Sequence, residues 1–381
     1  MIHPASCTDK IRPFLVMDVL EAAHALEAEG HDIVHLEIGE PDFDTPDCVK
    51  EAANKAISDG QTHYTHSLGV MALREAICED YHARYGVSLC PEQIVVTSGT
   101  SPAMLLAFGA LLEPGEEVLL PDPGYACYPN FVHFVHGEPK RVRLREADGF
   151  QLHPDLVREA ITPGTRAMMV NSPSNPAGTV LPGEWIQELA GLQPALVADE
   201  IYHGLVYGEA ASSVLEHTED AFVLNGFSKL YAMTGWRLGY LIAPQRFMRA
   251  IQKLAQNLFI CAGSVAQHAA IAALRHAGPD VERMRQTYDT RRQVLLQRLQ
   301  KMGFTLAVEP KGAFYVFVNA SHLGGDSYTL AFDILHKAHV GVTPGIDFGP
   351  GGEGYLRFSY ANSLENIEKG MDRLEAYIEK L

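Results

Sequence analysis

Three residues set the chemistry open to this sequence. Lys229 stands in Gly226-Phe227-Ser228-Lys229-Leu230. Arg237 follows eight residues later in Thr234-Gly235-Trp236-Arg237-Leu238-Gly239, and Asp199 lies upstream in Ala198-Asp199-Glu200-Ile201-Tyr202. A lysine amine can form a Schiff base with an aldehyde. A carboxylate can keep a pyridinium nitrogen protonated, and an arginine can fork onto a phosphate. A ligand that asks for all three is an aldehyde cofactor with a ring nitrogen and a phosphate, as pyridoxal phosphate is. Each residue alone has a plainer reading. A lone lysine is usually a solvated surface charge. Here the apolar neighbours Phe227, Leu230 and Tyr231 argue for partial burial, which, with Arg237 nearby, would depress the amine pKa. Asp199 reads as a cap or loop aspartate, or as a carboxylate at the end of a strand, where parallel sheets collect ligands.

A second group would complete such a site. Residues 94–97 read as a strand, and Ser98-Gly99-Thr100-Ser101-Pro102 opens a helix with Ser101 as N-cap and Pro102 at the first helical position. Alone, this is a capped helix start. With Ser228 and Arg237 as a second anion-binding set, its free N–H groups and positive dipole make a phosphate cup. The string Asn171-Ser172-Pro173-Ser174-Asn175-Pro176-Ala177-Gly178 reads as a turn, or as the loop whose Asn175 amide meets a phenolate oxygen. Tyr202 can donate to the same oxygen, and Tyr125 can stack on a ring face. Arg357, among apolar neighbours, needs a carboxylate, either a structural Asp or Glu or a bound α-carboxylate gripped by the guanidinium fork. Gly349-Pro350-Gly351-Gly352-Glu353-Gly354 spells G-x-G-x-x-G, but it runs into a strand, so it reads as a loop and not as a dinucleotide fingerprint.

These residues need a framework. Short aliphatic runs at 94–97, 117–120, 167–170, 195–198 and 222–224 read as buried strands, with helical stretches such as 103–112 and 184–192 between them. That alternation implies an α/β unit with a mainly parallel sheet over residues 45–280. The ends differ. Residues 14–29 and 288–302 read as helices closed by Gly30 and Gly303, residues 304–308, 313–318 and 355–360 as strands, and residues 364–380 as a last helix. They imply a smaller α+β unit built from both termini, residues 1–44 and 281–381. Two units suit 381 residues, more than one core usually serves.

Composition narrows the class. The chain is 47% apolar and 20% charged, with a formal net charge of −17, and without a basic stripe no nucleic-acid partner is expected. Cys7, Cys48, Cys78, Cys90, Cys127 and Cys261 show neither a C-x-x-C pair nor zinc spacing, so reduced thiols and no metal are expected. The first fourteen residues hold no apolar signal core, and no run reaches about 18 apolar residues, so no membrane segment and a cytoplasmic place are expected.

Taken in order, these blocks resemble the class I and II aminotransferases, the aspartate aminotransferase family of pyridoxal phosphate fold type I. The likeness covers nearly the whole chain. It runs through Glu37-Ile38-Gly39-Glu40-Pro41-Asp42-Phe43-Asp44-Thr45-Pro46, Tyr64-Thr65-His66-Ser67-Leu68-Gly69, Asn175-Pro176-Ala177-Gly178, Asp199-Glu200-Ile201-Tyr202, Ser228-Lys229 and Pro344-Gly345-Ile346-Asp347-Phe348-Gly349. It implies a large domain with a mainly parallel sheet, a small mobile domain and a homodimer. It also implies transfer of an amino group from an L-amino acid to a 2-oxo acid, by a ping-pong route through pyridoxamine phosphate.

Carried over residue by residue, the resemblance makes Lys229 the Schiff-base lysine and Asp199 the partner of the pyridine nitrogen. Asn175 and Tyr202 become phenolate ligands, and Tyr125 the ring-stacking aromatic. Gly99, Thr100, Ser101, Ser228 and Arg237 form the phosphate cup, and Tyr64 reaches the phosphate of the other subunit. Gly39 and Arg357, with Asn175 assisting, take the substrate carboxylate. Members of the family that act on aspartate often carry a lysine where Ser101 stands, so the neutral serine weakens that specificity. The link between Leu192 and Ala195 looks shorter than is usual in the family, and Ile11 to Leu15 is expected to line the side-chain pocket. The same motifs serve carbon–sulfur β-lyases and cyclopropane-forming synthases, which share α-proton removal by the lysine. A regulator with an aminotransferase-like sensor would need an N-terminal DNA-binding module, for which little chain precedes the first motif.

Overall fold

The computed structural model describes residues 2–306 and 308–381. Met1 and Ala307 lie outside them, one at the end of the expected small unit and one inside the expected strand 304–308. The side chains of Ser6 and Cys7 also lie outside the description.

The chain opens with helix α1 (Leu15–Ala28), strand β1 (Val34–His35) and helices α2 (Asp47–Ser58) and α3 (Met71–Tyr85). Strand and helix then alternate through β2 (Ile94–Thr97), α4 (Thr100–Leu111), β3 (Glu117–Asp122), α5 (Tyr128–Phe134), β4 (Glu138–Arg143), α6 (Pro154–Ala160), β5 (Thr165–Asn171), α7 (Gly183–Ala190) and β6 (Ala195–Asp199). Strands β7 (Ala221–Gly226) and β8 (Gly239–Ile242) lead into helices α8 (Gln245–Leu258), α9 (Ser264–His276) and α10 (Gly278–Lys301). The chain closes with β9 (Tyr315–Asn319), α11 (Ser327–Ala338), β10 (Val340–Gly341), β11 (Thr343–Pro344), β12 (Tyr355–Ser359) and α12 (Leu364–Ile378).

One sheet has the order β2-β8-β7-β6-β5-β3-β4. Strand β8 runs antiparallel to both its neighbours, and the other pairings are parallel. Its inner strands are continuous aliphatic runs because helices cover both faces. Val197 and Phe222 point to the face packed by Met104 and Phe108 of α4 and Ile251 of α8. Leu196, Ala198 and Val223 join the other core, with Ala269 and Ala273 of α9. A second sheet, β11-β12-β9, is antiparallel, and β1 pairs in parallel with β10, so the chain's beginning and end share backbone hydrogen bonds.

Several expectations shift. Strand β4 (Glu-Pro-Lys-Arg-Val-Arg) escapes a search for aliphatic runs because it is an edge strand carrying charge, which blunts an edge against further pairing. Strand β8 is hidden behind the Arg237 motif. Residues 304–306 and 308 do not form a strand, since Thr305 makes a single bridge to Asn319. Helix α10 begins at Gly278, ten residues before the reading at Tyr288. The loop around Gly349 is made of two short 3-10 turns that lead into β12. The N-cap of α4 is Gly99 rather than Ser101, and Ser101 and Pro102 lie inside the first turn. Gly99 takes that place because its φ of 99° lies in the left-handed half of backbone space, which glycine enters freely.

Among the described residues no helix is long and apolar enough to cross a membrane.

Candidate active site

The carboxyl ends of the parallel strands converge on one cavity of about 460 Å³. Asn171 ends β5, Asp199 ends β6, Lys229 follows β7, and α4 starts just beyond β2. Gly39, Thr100, Ser101, Tyr125, Asn175, Asp199, Tyr202, Ser228, Lys229, Arg237 and Arg357 all line this space. Of the remaining expected residues, Gly99 adjoins it and Tyr64 does not reach it.

No side chain caps α4, so its first-turn N–H groups face the cavity unclaimed. A Cβ on Gly99 would come within 2.8 Å of an Arg237 Nη, so the missing side chain lets the guanidinium lie over the helix start. Arg237 has a φ of 50°, unusual for a non-glycine residue. It donates to the Thr234 carbonyl at 3.0 Å and has no carboxylate partner among the described residues. Two independent donors of positive charge therefore meet at one end of the cavity, and no carboxylate pairs with Arg237 among the described residues.

Asp199 is buried. Its Oδ2 accepts from the Tyr128 hydroxyl at 2.8 Å and its Oδ1 from the Ile201 N–H at 3.1 Å. Burial pushes its pKa up to about 6, against the pull of those two hydrogen bonds. The Lys229 amine donates to the Gly39 carbonyl at 2.5 Å. Burial lowers its pKa to about 8, with Glu40 opposing and the cations of Arg357 and Arg237 assisting. Above that pH the amine is neutral and nucleophilic, and below it carries a proton. Burial also pushes the Tyr125, Tyr128 and Tyr202 phenols well above their usual range, so all three remain O–H groups.

Arg357 is fixed on β12. It donates to the Asn175 side-chain carbonyl at 2.9 Å, the Glu37 carbonyl at 2.6 Å and the Thr343 hydroxyl at 3.1 Å. Its guanidinium lies 4.2 Å from the Tyr315 ring centroid and 5.0 Å from that of Phe348. Its buried Nε has no partner, and no carboxylate pairs with it among the described residues. Of the two readings of this arginine, a structural Asp or Glu is thus absent. Tyr315 donates to or accepts from Tyr202 at 2.8 Å, and a Cβ on Gly39 would sit 2.1 Å from its hydroxyl, so only glycine fits there.

Sequence reading misses Tyr128, Tyr315, Asn171 and Glu40. Tyr128 carries a faint signal, three residues past Tyr125 at a helix start. Tyr315 sits in an aromatic strand that reads as plain core. Asn171 donates to the Asp199 carbonyl at 3.0 Å and accepts from the Asn175 N–H at 2.7 Å, tying two cavity loops together. Glu40 accepts from the Thr234 hydroxyl. Within the expected N-terminal stretch, Phe14 lines the cavity, followed by Val16, Met17 and Leu20 of α1, while Ile11 and Leu15 do not. Residues 191–194 form the short link between α7 and β6.

A buried carboxylate, a depressed amine and two unpaired guanidiniums at the mouth of a parallel sheet define an α/β enzyme built for an amine and two anionic groups. Residues 31–374 match the family described as aminotransferase class I and II. A (5-formylfuran-3-yl)methyl phosphate transaminase of Methanocaldococcus jannaschii is 40% identical over 96% of this chain and 97% of its own. An aspartate/prephenate aminotransferase of Thermus thermophilus is 39% identical over 95% of each. The solved structure of Thermus thermophilus aspartate aminotransferase with maleate superposes with a TM-score of 0.95 at 38% identity, covering 99% of this chain and all of that one. The chain belongs to the class I and II aminotransferases and has their fold, pyridoxal phosphate fold type I. It is an enzyme of amino-group transfer, and the lyase alternative finds no support among these relatives.

Proposed function

We propose that this aminotransferase takes the amino group from an L-amino acid with an apolar or aromatic side chain, passes it to a 2-oxo acid, and uses pyridoxal phosphate held in the cavity. The observation that carries the side-chain choice is the set of cations. Among the described residues lining the cavity, Lys229, Arg237 and Arg357 are the lysines and arginines. Each has a task, and none is left for a second carboxylate. The rest of the wall includes the apolar Phe14, Val16, Met17, Leu20, Ile38 and Met104, the carboxylate Glu40, which would repel an acidic side chain, and neutral Ser101 where an acidic side chain would want a lysine.

The residues fit the cofactor. The uncapped start of α4 at Gly99, Thr100 and Ser101, with Ser228 and Arg237, would hold its phosphate. Asp199 would hold the ring N–H, which supplies the counter-charge that the buried carboxylate lacks. Tyr202 and the Asn175 amide would face the phenolate oxygen, and Tyr125, edge-on to Phe14 at 5.9 Å, would cover the ring. When bound, pyridoxal phosphate supplies an aldehyde that condenses with amines and a ring that draws electron density from the α-carbon. Lys229 then moves the α-proton, taking it as a neutral amine and returning it as an ammonium. Arg357 grips the α-carboxylate with its fork and, through Asn175, links the substrate to the cofactor side.

Two further readings accompany this. Residues 45–280 would act as the large domain, and 1–44 with 281–381 as the small one that closes on substrate. The chain would work as a homodimer in which Tyr64, 83% exposed in the single chain, reaches the partner's phosphate. The described cysteines are free thiols, in keeping with a cytoplasmic place.

The test is an absorbance scan of purified enzyme with pyridoxal phosphate, then with a panel of L-amino acids and 2-oxoglutarate. The expected result is a cofactor band that is absent in Lys229→Ala and bleaches with leucine, phenylalanine or tyrosine faster than with aspartate. Fastest bleaching with aspartate would overturn the side-chain reading, and no band at all would overturn the cofactor site.

A further inference from the structure

We propose that His24, Glu27 and His35 form a binding site for one divalent transition-metal ion of the zinc kind, outside the catalytic cavity and independent of the reading given to it. His24 and Glu27 stand three residues apart on α1, so they rise from one helix face, and His35 belongs to β1 beside it. One ligand atom from each lies within 4.8 Å of the others. Glu27 Oε1 is 3.1 Å from His35 Nε2, and the two imidazole centroids are 5.8 Å apart. Two imidazoles and one carboxylate, open to solvent on the remaining side, are a donor set that zinc accepts with water in the fourth place. Magnesium and calcium prefer shells of oxygen alone, so the nitrogens select against them.

The support behind the ligands is already built. His35 Nδ1 lies 2.7 Å from Oε1 of Glu37, whose side chain is fully buried. A carboxylate on one ring nitrogen orients the imidazole, and the other nitrogen, which faces Glu27, is where a metal would take the place of a proton. The charges also ask for a cation. Oε2 of Glu37 has no partner, and the ion pairs of Glu27 and Glu37 run only to His35 among the described residues. Two carboxylates thus share one imidazole, and a dication would make good the deficit. His24, Glu27, His35 and Glu37 do not line the catalytic cavity.

The experiment uses tag-free holoenzyme, stripped with a chelator and titrated with zinc chloride in a calorimeter. A parallel titration uses cobalt(II), whose visible bands report imidazole ligation. One saturable equivalent per chain is expected. His24→Ala, an exposed change away from the cavity, should weaken binding about tenfold or more while transamination and circular dichroism stay as in the parent. Glu37→Gln should weaken it about 10- to 100-fold through the loss of the outer carboxylate. If Glu37→Gln fails to fold, His24→Ala and Glu27→Gln still decide the matter. The absence of a saturable equivalent overturns the proposal. So does binding that both of those variants leave unchanged, because the ion would then sit on other histidines or on thiols.

Discussion

Asp199 shows how a single side chain sets the terms for its site. Ionised, it can hold a ring N–H, and protonated it cannot. Burial brings that change to about pH 6, and the Tyr128 hydroxyl holds it from going higher. Tyr128→Phe removes that bond, so Asp199 should titrate at higher pH. The affinity of apoenzyme for pyridoxal phosphate, followed by fluorescence, should fall as pH drops through about 6 in the parent and at higher pH in the variant. Losing ~1.5–3 kcal/mol for a hydrogen bond to a charged group would raise the Asp199 pKa by about one to two units, so at pH 7 the affinity should fall roughly two- to fifteenfold. An unmoved profile would reduce Tyr128 to packing. Lys229, Asp199, Arg237 and Arg357 are legible in the sequence because their residue types stand out against their local strings. Tyr128 is not, because its partner lies 71 residues away and only the fold brings them together.

Helix α1 depends on a residue from the far end of the chain. Phe14 at its start offers no side-chain cap. The carboxylate of Asp347 instead accepts from the Leu15 N–H at 2.8 Å and the Val16 N–H at 3.3 Å. That clamp aims Phe14, Val16 and Met17 into the cavity. Asp347→Ala removes a helix cap, which is ordinarily a loss of ~0.5–2 kcal/mol. If that loss falls on the substrate wall, KM for an apolar amino acid rises about two- to thirtyfold with a smaller change in kcat. A fall in melting temperature with unchanged KM would confine Asp347 to stability. At this scale the sequence is legible where a strand is a plain aliphatic run, including β2 at one edge of the sheet, and unreadable at the charged edge β4 and at β8 beside the Arg237 motif. The five aliphatic runs all become sheet strands, while β4 carries too much charge to stand out. The start of α4 misleads for a different reason. Ser101 and Pro102 are good capping types, but the helix begins uncapped at Gly99, as the proposed phosphate cup would need.

In the single chain Tyr64 is exposed and does not line the cavity, so the role proposed for it requires a second copy. Mixing Tyr64→Ala and Lys229→Ala chains tests this. A hybrid dimer would contain one cavity with both residues intact and one with neither. Random pairing should restore about a quarter of wild-type turnover, more than either parent gives. Turnover that never exceeds that of the Tyr64→Ala parent would remove Tyr64 from the partner's site. Nothing in the geometry of one chain points to this proposed role, which rests on the likeness of the string Tyr64-Thr65-His66-Ser67-Leu68-Gly69 to the family.

The pairing of β1 with β10, and of Arg357 with the Glu37 backbone, also bears on how the enzyme comes into being. On the ribosome, Lys229 and the residues proposed for the phosphate cup emerge while β12 is still unmade. A polypeptide ending before Tyr355 would lack Arg357, and with it both the proposed grip on an α-carboxylate and one of the cations that lower the Lys229 pKa. The proposed grip on the α-carboxylate is therefore made late in translation, after the lysine and the start of α4.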